Sequence, residues 1–375
     1  MGVRNSVRTN FCWAVPCTNG RADSPSTVAA PAPSVPDARA ALLREPGSAY
    51  RWADLAEAEL NANNVEGAKY ALRRALAAGP GSPNILFRAA RFNLRLEDIP
   101  ATLAKLTSIL RNPDLSEYYS QVFSIYRQMD LPFEQILNEG IPKNEAAATG
   151  FLSFWIEDDQ MDEAQETWAW LKENSLVDLD AVADYVSFQV KHNMADEAVQ
   201  IWADYNAKRD PGYRKTNWIF NGNLETEPAD CPFDWSLSSN SDVTASLDKG
   251  VTYDGSSALK LAFAGARRSE FRVASQDVLL TPGLWTLRAF MRTTHIKAEQ
   301  GIYFRVVDSE DASRLNVSTN GFEGTEEWSA QEKTFAVSQG TRITRVELMC
   351  PLSREPGAES AASVFVAHIQ VIPAH

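Results

Sequence analysis

The chain has 375 residues, 36 of them basic and 49 acidic, for a formal net charge of −13, with 44% apolar and 10% aromatic residues. That length predicts two or three domains, and this apolar content excludes wholesale disorder. The acid excess argues against a general nucleic-acid binder, because phosphate binding needs clustered Lys and Arg. Four His and four Cys leave few ways to build a zinc or iron site, and no cofactor is expected.

The first segment, residues 1–36, carries three Arg against Asp23 and contains no apolar run long enough to span a membrane. Its longest apolar run, Phe11 to Val15, stops at Pro16, short of a signal-peptide core. From Ser24 to Pro36 the chain is rich in Pro, Ala and Ser, the composition of an extended linker. Residues 1–36 are therefore expected to be a disordered N-terminal segment. Cys12 and Cys17 lie within it without further metal-ligand types close by.

Residues 37–212 read as helical repeats. Trp52, Leu55, Ala56, Ala68, Leu72, Ala75 and Pro80 follow the spacing of a tetratricopeptide repeat, a helical hairpin of 34 residues. Small Ala56 and Ala68 permit close helix approach, larger neighbours fill the seam, and Gly79-Pro80 ends the second helix. A second copy begins near Leu86 and ends at Asn112-Pro113. Later, Phe151, Leu152, Phe154, Ile156, Ala164 and Trp168 return 34 residues on as Tyr185, Val186, Phe188, Val190, Ala198 and Trp202. Between these copies, Glu117 to Pro142 is a degenerate unit broken at Leu131-Pro132. The aromatics read as an inter-helix seam, or alternatively as a ligand groove.

Residues 130–210 hold 18 acids against 5 bases, an excess equal to that of the whole chain. Within them, Glu157, Asp158, Asp159, Asp162, Glu163 and Glu166 are candidates for an acidic face that meets a basic protein partner. The other reading is a solvated turn between helices.

After Asp210-Pro211-Gly212 the apolar period shifts to two. Strands are expected at 258–264, 271–279, 285–292, 301–308, 330–337, 342–349 and 363–372, separated by turns such as Asp254-Gly255-Ser256. This pattern predicts an all-β sandwich over residues 213–375. Alternation sends Trp285, Leu287, Ala289 and Met291 to one face, opposite Phe290 and Arg292; likewise Ile302, Phe304 and Val306 lie opposite Tyr303 and Arg305. If the two strands pair, Phe290, Arg292, Tyr303 and Arg305 form an aromatic–guanidinium patch suited to a sugar ring. The plainer reading is a solvated face with cross-strand packing.

Several motifs in this region come in a recognisable order: Asn221-Gly222-Asn223-Leu224-Glu225, Phe233-Asp234-Trp235, Gly255-Ser256-Ser257-Ala258-Leu259, Thr281-Pro282-Gly283-Leu284-Trp285 and Gly324-Thr325-Glu326-Glu327-Trp328. Their series resembles the galactose-binding-like jelly rolls typified by carbohydrate-binding modules. The chain as a whole resembles bacterial proteins that place such a jelly roll after tetratricopeptide repeats. The resemblance implies a glycan as ligand, and buried, structural roles for Trp235 and Trp328. It also implies a structural calcium, for which Glu225 matches one ligand. The last strand, however, places Ala367 and His368 where acids are expected. A sugar-binding likeness favours export, and the missing signal core opposes it. Cys231 and Cys350 are the domain's only thiols, and their spacing leaves a bridge open.

The familiar catalytic signatures are missing: there is no phosphate loop, dinucleotide fingerprint, HExxH, CxxC or nucleophile elbow. The expectation is a non-enzymatic scaffold or binding protein: a tetratricopeptide-type α-solenoid that holds a protein partner, then a jelly roll that holds a glycan or a second protein. Two alternatives stand. The jelly roll caps the solenoid without a ligand, or a carboxylate pair cleaves polysaccharide.

Overall fold

The computed structural model describes residues 33–229, 231–264, 270–296, 301–351 and 362–374. Most of the expected N-terminal segment, including Cys12 and Cys17, lies outside them. The described chain divides between Ile85 and Leu86 into two compact units. The change from helix to strand comes later, after Asn206.

The first unit holds α1 (Val35–Arg44), α2 (Ala49–Asn61), α3 (Val65–Ala78) and the start of α4 (Pro83–Arg95). Side chains that accept orphan backbone N–H groups start these helices, Ser34 for α1 and Asn64 for α3. Ala53, Ala68 and Ala75 are at most 1% exposed, so the helices approach at the distance their small side chains allow. Trp52 packs edge-on to Tyr70 at 6.0 Å, and its indole N–H donates to the Pro46 carbonyl.

The second unit continues with α5 (Ile99–Leu110) and α6 (Tyr119–Gln128). The chain restarts after Pro132 as the short α7 (Phe133–Gln135), running into a π turn at Ile136–Gly140. Tyr126 and Thr107 both donate hydroxyls to the Gly140 carbonyl there. Helices α8 (Glu145–Glu157), α9 (Met161–Glu173), α10 (Leu179–Lys191) and α11 (Ala195–Asn206) complete the helical part. The α10–α11 pair begins 34 residues after the α8–α9 pair, and Asn144 and Asp178 cap the equivalent helix starts. Phe151, Trp168, Tyr185 and Trp202 are all under 7% exposed; Trp168 stacks on Tyr185 at 4.6 Å. These aromatics form the seam between helices and offer no ligand groove.

All strand pairs are antiparallel. One five-stranded sheet has the order β2-β3-β10-β5-β8: β2 (Val243–Tyr253), β3 (Ser256–Phe263), β5 (Gly283–Ile296), β8 (Gly324–Val337) and β10 (Ser363–Pro373). The other runs β1-β4-β9-β6-β7: β1 (Ser236–Leu237), β4 (Phe271–Val278), β6 (Tyr303–Asp308), β7 (Asn316–Ser318) and β9 (Thr344–Cys350). Trp235, Leu287, Met291, Phe304, Val306 and Leu348 fill the space between the sheets, each 1% exposed or less. Asp254 and Gly255 both have positive φ and turn β2 into β3. Cys231 and Cys350 are buried thiols.

The last helix does not end in water. Trp202, 1% exposed, meets Phe220 at 5.3 Å. The Phe220 backbone is held on both sides by Gln276 of β4, at 2.8 and 2.9 Å. Gly222 is obligatory on this path, since a Cβ there would lie 2.1 Å from the Ile369 carbonyl oxygen. Arg342 adds two bonds to Asn193 in the α10–α11 turn, at 2.7 and 3.0 Å.

Candidate functional site

Strands β5 and β6 belong to different sheets, so the four-residue patch expected from their pairing does not form. Phe290 and Arg292 lie on the outer face of one sheet; Tyr303 and Arg305 lie on the outer face of the other. Alternation sorts residues between faces correctly, but it carries no information about which strands become neighbours.

On the first sheet the Phe290 ring is not open. After Asp248 the β2 register shifts, and Tyr253 stacks on Phe290 at 4.1 Å with 20° between planes. Trp328 leans on Tyr253 at 5.3 Å. Beneath them Ala258, Phe365 and Ala367 form a second small core. Trp235 is buried in the main core as expected, whereas Trp328 is only partly buried and belongs to this outer cluster. Arg292 is engaged with Glu327 at 3.4 Å. This face is packing.

The second sheet differs. Register places Ser236, Ser275, Glu347 and Arg305 side by side across β1, β4, β9 and β6. Glu347 is 3% exposed, and Arg272 reaches it at 3.0 Å and Arg305 at 2.7 Å. In the next row Arg345 grips Asp277 with two bonds of 2.5 and 2.9 Å. Tyr303 donates its hydroxyl to Glu270; burial, reinforced by Glu270, pushes its phenol up to about 12. A cavity of about 310 Å³ opens on this strip, lined by Ser236, Arg272, Ser275, Asp277 and Arg345, with Asp234 at its side.

Asp234 is 2% exposed. Its two oxygens accept the backbone N–H groups of Ala229 and Trp235 at 3.0 and 2.7 Å. Burial pushes its carboxyl up to about 6, against those two bonds and the distant Arg209 charge. Sequence reading missed Glu347, Arg272 and Asp234 as site residues. A signal did exist for Glu347, a lone acid in the otherwise apolar run Val346 to Cys350.

Two of the six acidic candidates on the repeats are engaged in ion pairs. Asp158 pairs with Arg127 at 2.6 Å, and Asp159 with Lys191 at 2.6 Å and His192 at 3.0 Å. The Asp159 carboxyl is held below its ordinary value by those two neighbours. Asp162 and Glu163 sit in the first turn of α9, where the helix dipole favours them; Glu157 and Glu166 are exposed. Glu225 is also exposed, in a cavity of about 370 Å³ shared with Arg209, Asn223, His368 and Gln370. Among the described residues no three His, Cys, Asp or Glu side chains come together as a metal site. Among the same residues no helix is long and apolar enough to cross a membrane.

No family model matches the chain, and no curated protein matches it. Among solved structures, TmCBM61, determined in complex with beta-1,4-galactotriose, aligns over 42% of this chain and 99% of its own, with 17% identity and a TM-score of 0.31. A family 16 carbohydrate-binding module aligns over 42% and 99%, with 19% identity and a TM-score of 0.30. The CBM22-1 xylan-binding domain of Paenibacillus barcinonensis Xyn10C aligns over 38% and 87%, with 13% identity and a TM-score of 0.26. Likeness at these scores says nothing about a ligand of this chain.

Proposed function

We propose that this is a binding protein whose β-sandwich, residues 213–375, takes a glycan on the outer face of the β1-β4-β9-β6-β7 sheet. One observation carries the reading: Glu347, almost solvent-free on an outer sheet face, lies between two guanidinium groups beside Tyr303 and next to an open cavity. Burying an ion array adds little to stability compared with apolar packing, so its presence needs another purpose. Planar carboxylate and guanidinium groups beside an aromatic ring suit sugar hydroxyls and the apolar ring face. The motif order noted in the sequence supports the same ligand class.

Glu347 and Asp277 are tied up in ion pairs, which suits recognition better than proton transfer. Among the described carboxylates, Asp234 alone has the raised value of a general acid. Release of reducing ends from a bound polysaccharide, lost in Asp234→Asn, would replace binding by hydrolysis. The test of the binding reading is a glycan array probed with the full chain and with Tyr303→Ala and Arg305→Ala. Retained binding by both variants would remove this face from consideration.

The 34-residue helix spacing supports tetratricopeptide-type repeats over residues 37–212, acting as a scaffold for a protein partner. A second reading has its own observation. Phe220 covers Trp202, so the sandwich also caps the last helix. Deleting residues 213–375 should then lower the melting temperature of the remaining helices.

A further inference from the structure

We propose that the β-sandwich carries a second sugar site, a hydrogen-bonding pocket between the loop at 221–226 and the last strand, which takes a single neutral sugar unit. The site is separate from the strip and does not rest on the reading of that face. Its walls are set by the backbone. Strand β10 bulges between Ala367 and Gln370, and His368 in the bulge has a φ of 52°; bulges re-aim a side chain in this way. Across the cavity Asn221 and Leu224 also have left-handed φ, at 50° and 55°. The Asn221 side chain locks their loop: it accepts from the N–H groups of Glu225 and Thr226 and donates to the Thr226 carbonyl. The Ile369 N–H donates to the Gly222 carbonyl, and the Asn217 amide bonds both Ile369 and Val371, so loop and strand are fastened together. Left-handed backbone at non-glycine positions persists only where its surroundings over-determine it, and it collects at ligand clamps.

The cavity so framed, about 370 Å³, has the size of a small-molecule site, and its polar lining is unused. His368 Nδ1 is buried without a hydrogen-bond partner, while edge contacts with Tyr253 and Phe290, at 6.2 and 6.0 Å, place its ring. A buried ring nitrogen left unpaired is costly. Among the described residues the side chains of Asn223, Glu225 and Gln370, which line the same cavity, also have no hydrogen-bond or ion-pair partner. Arg209 lies over the Tyr205 ring. The guanidinium and the two amides donate; the carboxylate and the amide oxygens accept. A donor-only set selects an anion and an acceptor-only set a cation, whereas a mixed set matches hydroxyls, which do both. The family likeness implies calcium at Glu225, and this donor set does not fit that ion. Arg209 brings a positive charge, and of the two carboxylates in the lining Asp210 already has both oxygens on the backbone N–H groups of Tyr213 and Asn221. Phe220 is buried under Trp202 and offers no ring face for stacking. Hydrogen bonds exchanged against water then give an affinity of millimolar order, which suits one sugar unit rather than a long chain.

The test is ring NMR of the four histidines in the full chain, with the His368 signal assigned by its loss in His368→Gln. Galactose, xylose, glucose and mannose are titrated at millimolar concentration, with galacturonate and calcium chloride alongside. The account expects at least one neutral sugar to move the His368 signal saturably and to leave the other three in place. In Asn223→Ala/Gln370→Ala the apparent affinity should fall at least about tenfold at a nearly unchanged melting temperature, because neither side chain bonds the fold. Tyr303→Ala/Arg305→Ala, which disables the strip, should leave the His368 response intact. Silence of His368 towards all four neutral sugars overturns the site, and so does a stronger response to galacturonate. A response to calcium alone would make it a cation site and also overturn it. A response that vanishes in the strip variant would make the two sites one and overturn their separation. Oligosaccharide binding that needs the strip while His368 stays silent removes this site and keeps the strip; a responsive His368 without oligosaccharide binding does the reverse.

Discussion

The two outer faces of the sandwich carry similar residue types and use them differently. On the β2-β3-β10-β5-β8 face, aromatic rings cover one another: Tyr253 occupies the side of Phe290 on which a sugar would stack. On the β1-β4-β9-β6-β7 face a lone tyrosine stands beside a charged array and an open cavity. The contrast shows that an aromatic beside an arginine is not yet a site. What matters is whether the ring's face has already been taken by the protein's own chain.

The comparison can be broken by substitution. Glu347→Ala should have the largest effect, because it removes the buried carboxylate that both Arg272 and Arg305 bond. Losing one partner of a buried ion pair costs about 3 kcal/mol, discounted here by the half-exposed Arg272, and glycan binding should be lost as well. Urea unfolding alongside a binding titration checks both. A Glu347→Ala variant that binds normally would move the site elsewhere.

Next is the pH dependence from Asp234. Its native carboxyl sits at about 6 against an ordinary 3.8, so the folded state holds the proton more tightly than the unfolded chain. The contribution favours the fold below the ordinary value and is lost as pH rises through about 6. Its size is on the order of 2–3 kcal/mol. Asp234→Asn should flatten the stability profile across that window; an unchanged profile contradicts the burial account.

On the packed face, Phe290→Ala should cost about 2 kcal/mol, less than a fully buried aromatic because the ring is only partly buried. Glycan affinity should be unaffected. The smallest effect is expected from Arg342→Ala, about 1 kcal/mol, since it removes exposed bonds to Asn193 and leaves Trp202 under Phe220. Differential scanning calorimetry ranks the two.

Helix spacing was legible because small and aromatic residues recur every 34 positions and each hairpin needs the same seam. Seven strands were legible from alternation. Strands β1 and β7 were too short to show a period, and β2, mostly polar, has a single buried residue, Val243. Which residues face inward was also legible, as Leu287 and Phe304 show. Neighbourhood was not. Phe290 and Tyr303 are close in sequence and alike in pattern, yet sheet order parts them, because pairing depends on long-range contacts that no local period records. Glu347 and Arg272, 75 positions apart, become partners for the same reason.

The central claim is that the polar strip, not the aromatic cluster, is where ligand binds. The most direct measurement is the affinity of a bound glycan for the full chain carrying Tyr303→Ala with Arg305→Ala, set against Phe290→Ala with Trp328→Ala. The account predicts that the first pair loses at least about tenfold in affinity and also melts earlier, because the buried Glu347 keeps only Arg272 as a partner, while the second pair melts earlier and binds as before. The reverse pattern would place the ligand on the aromatic face and contradict the account.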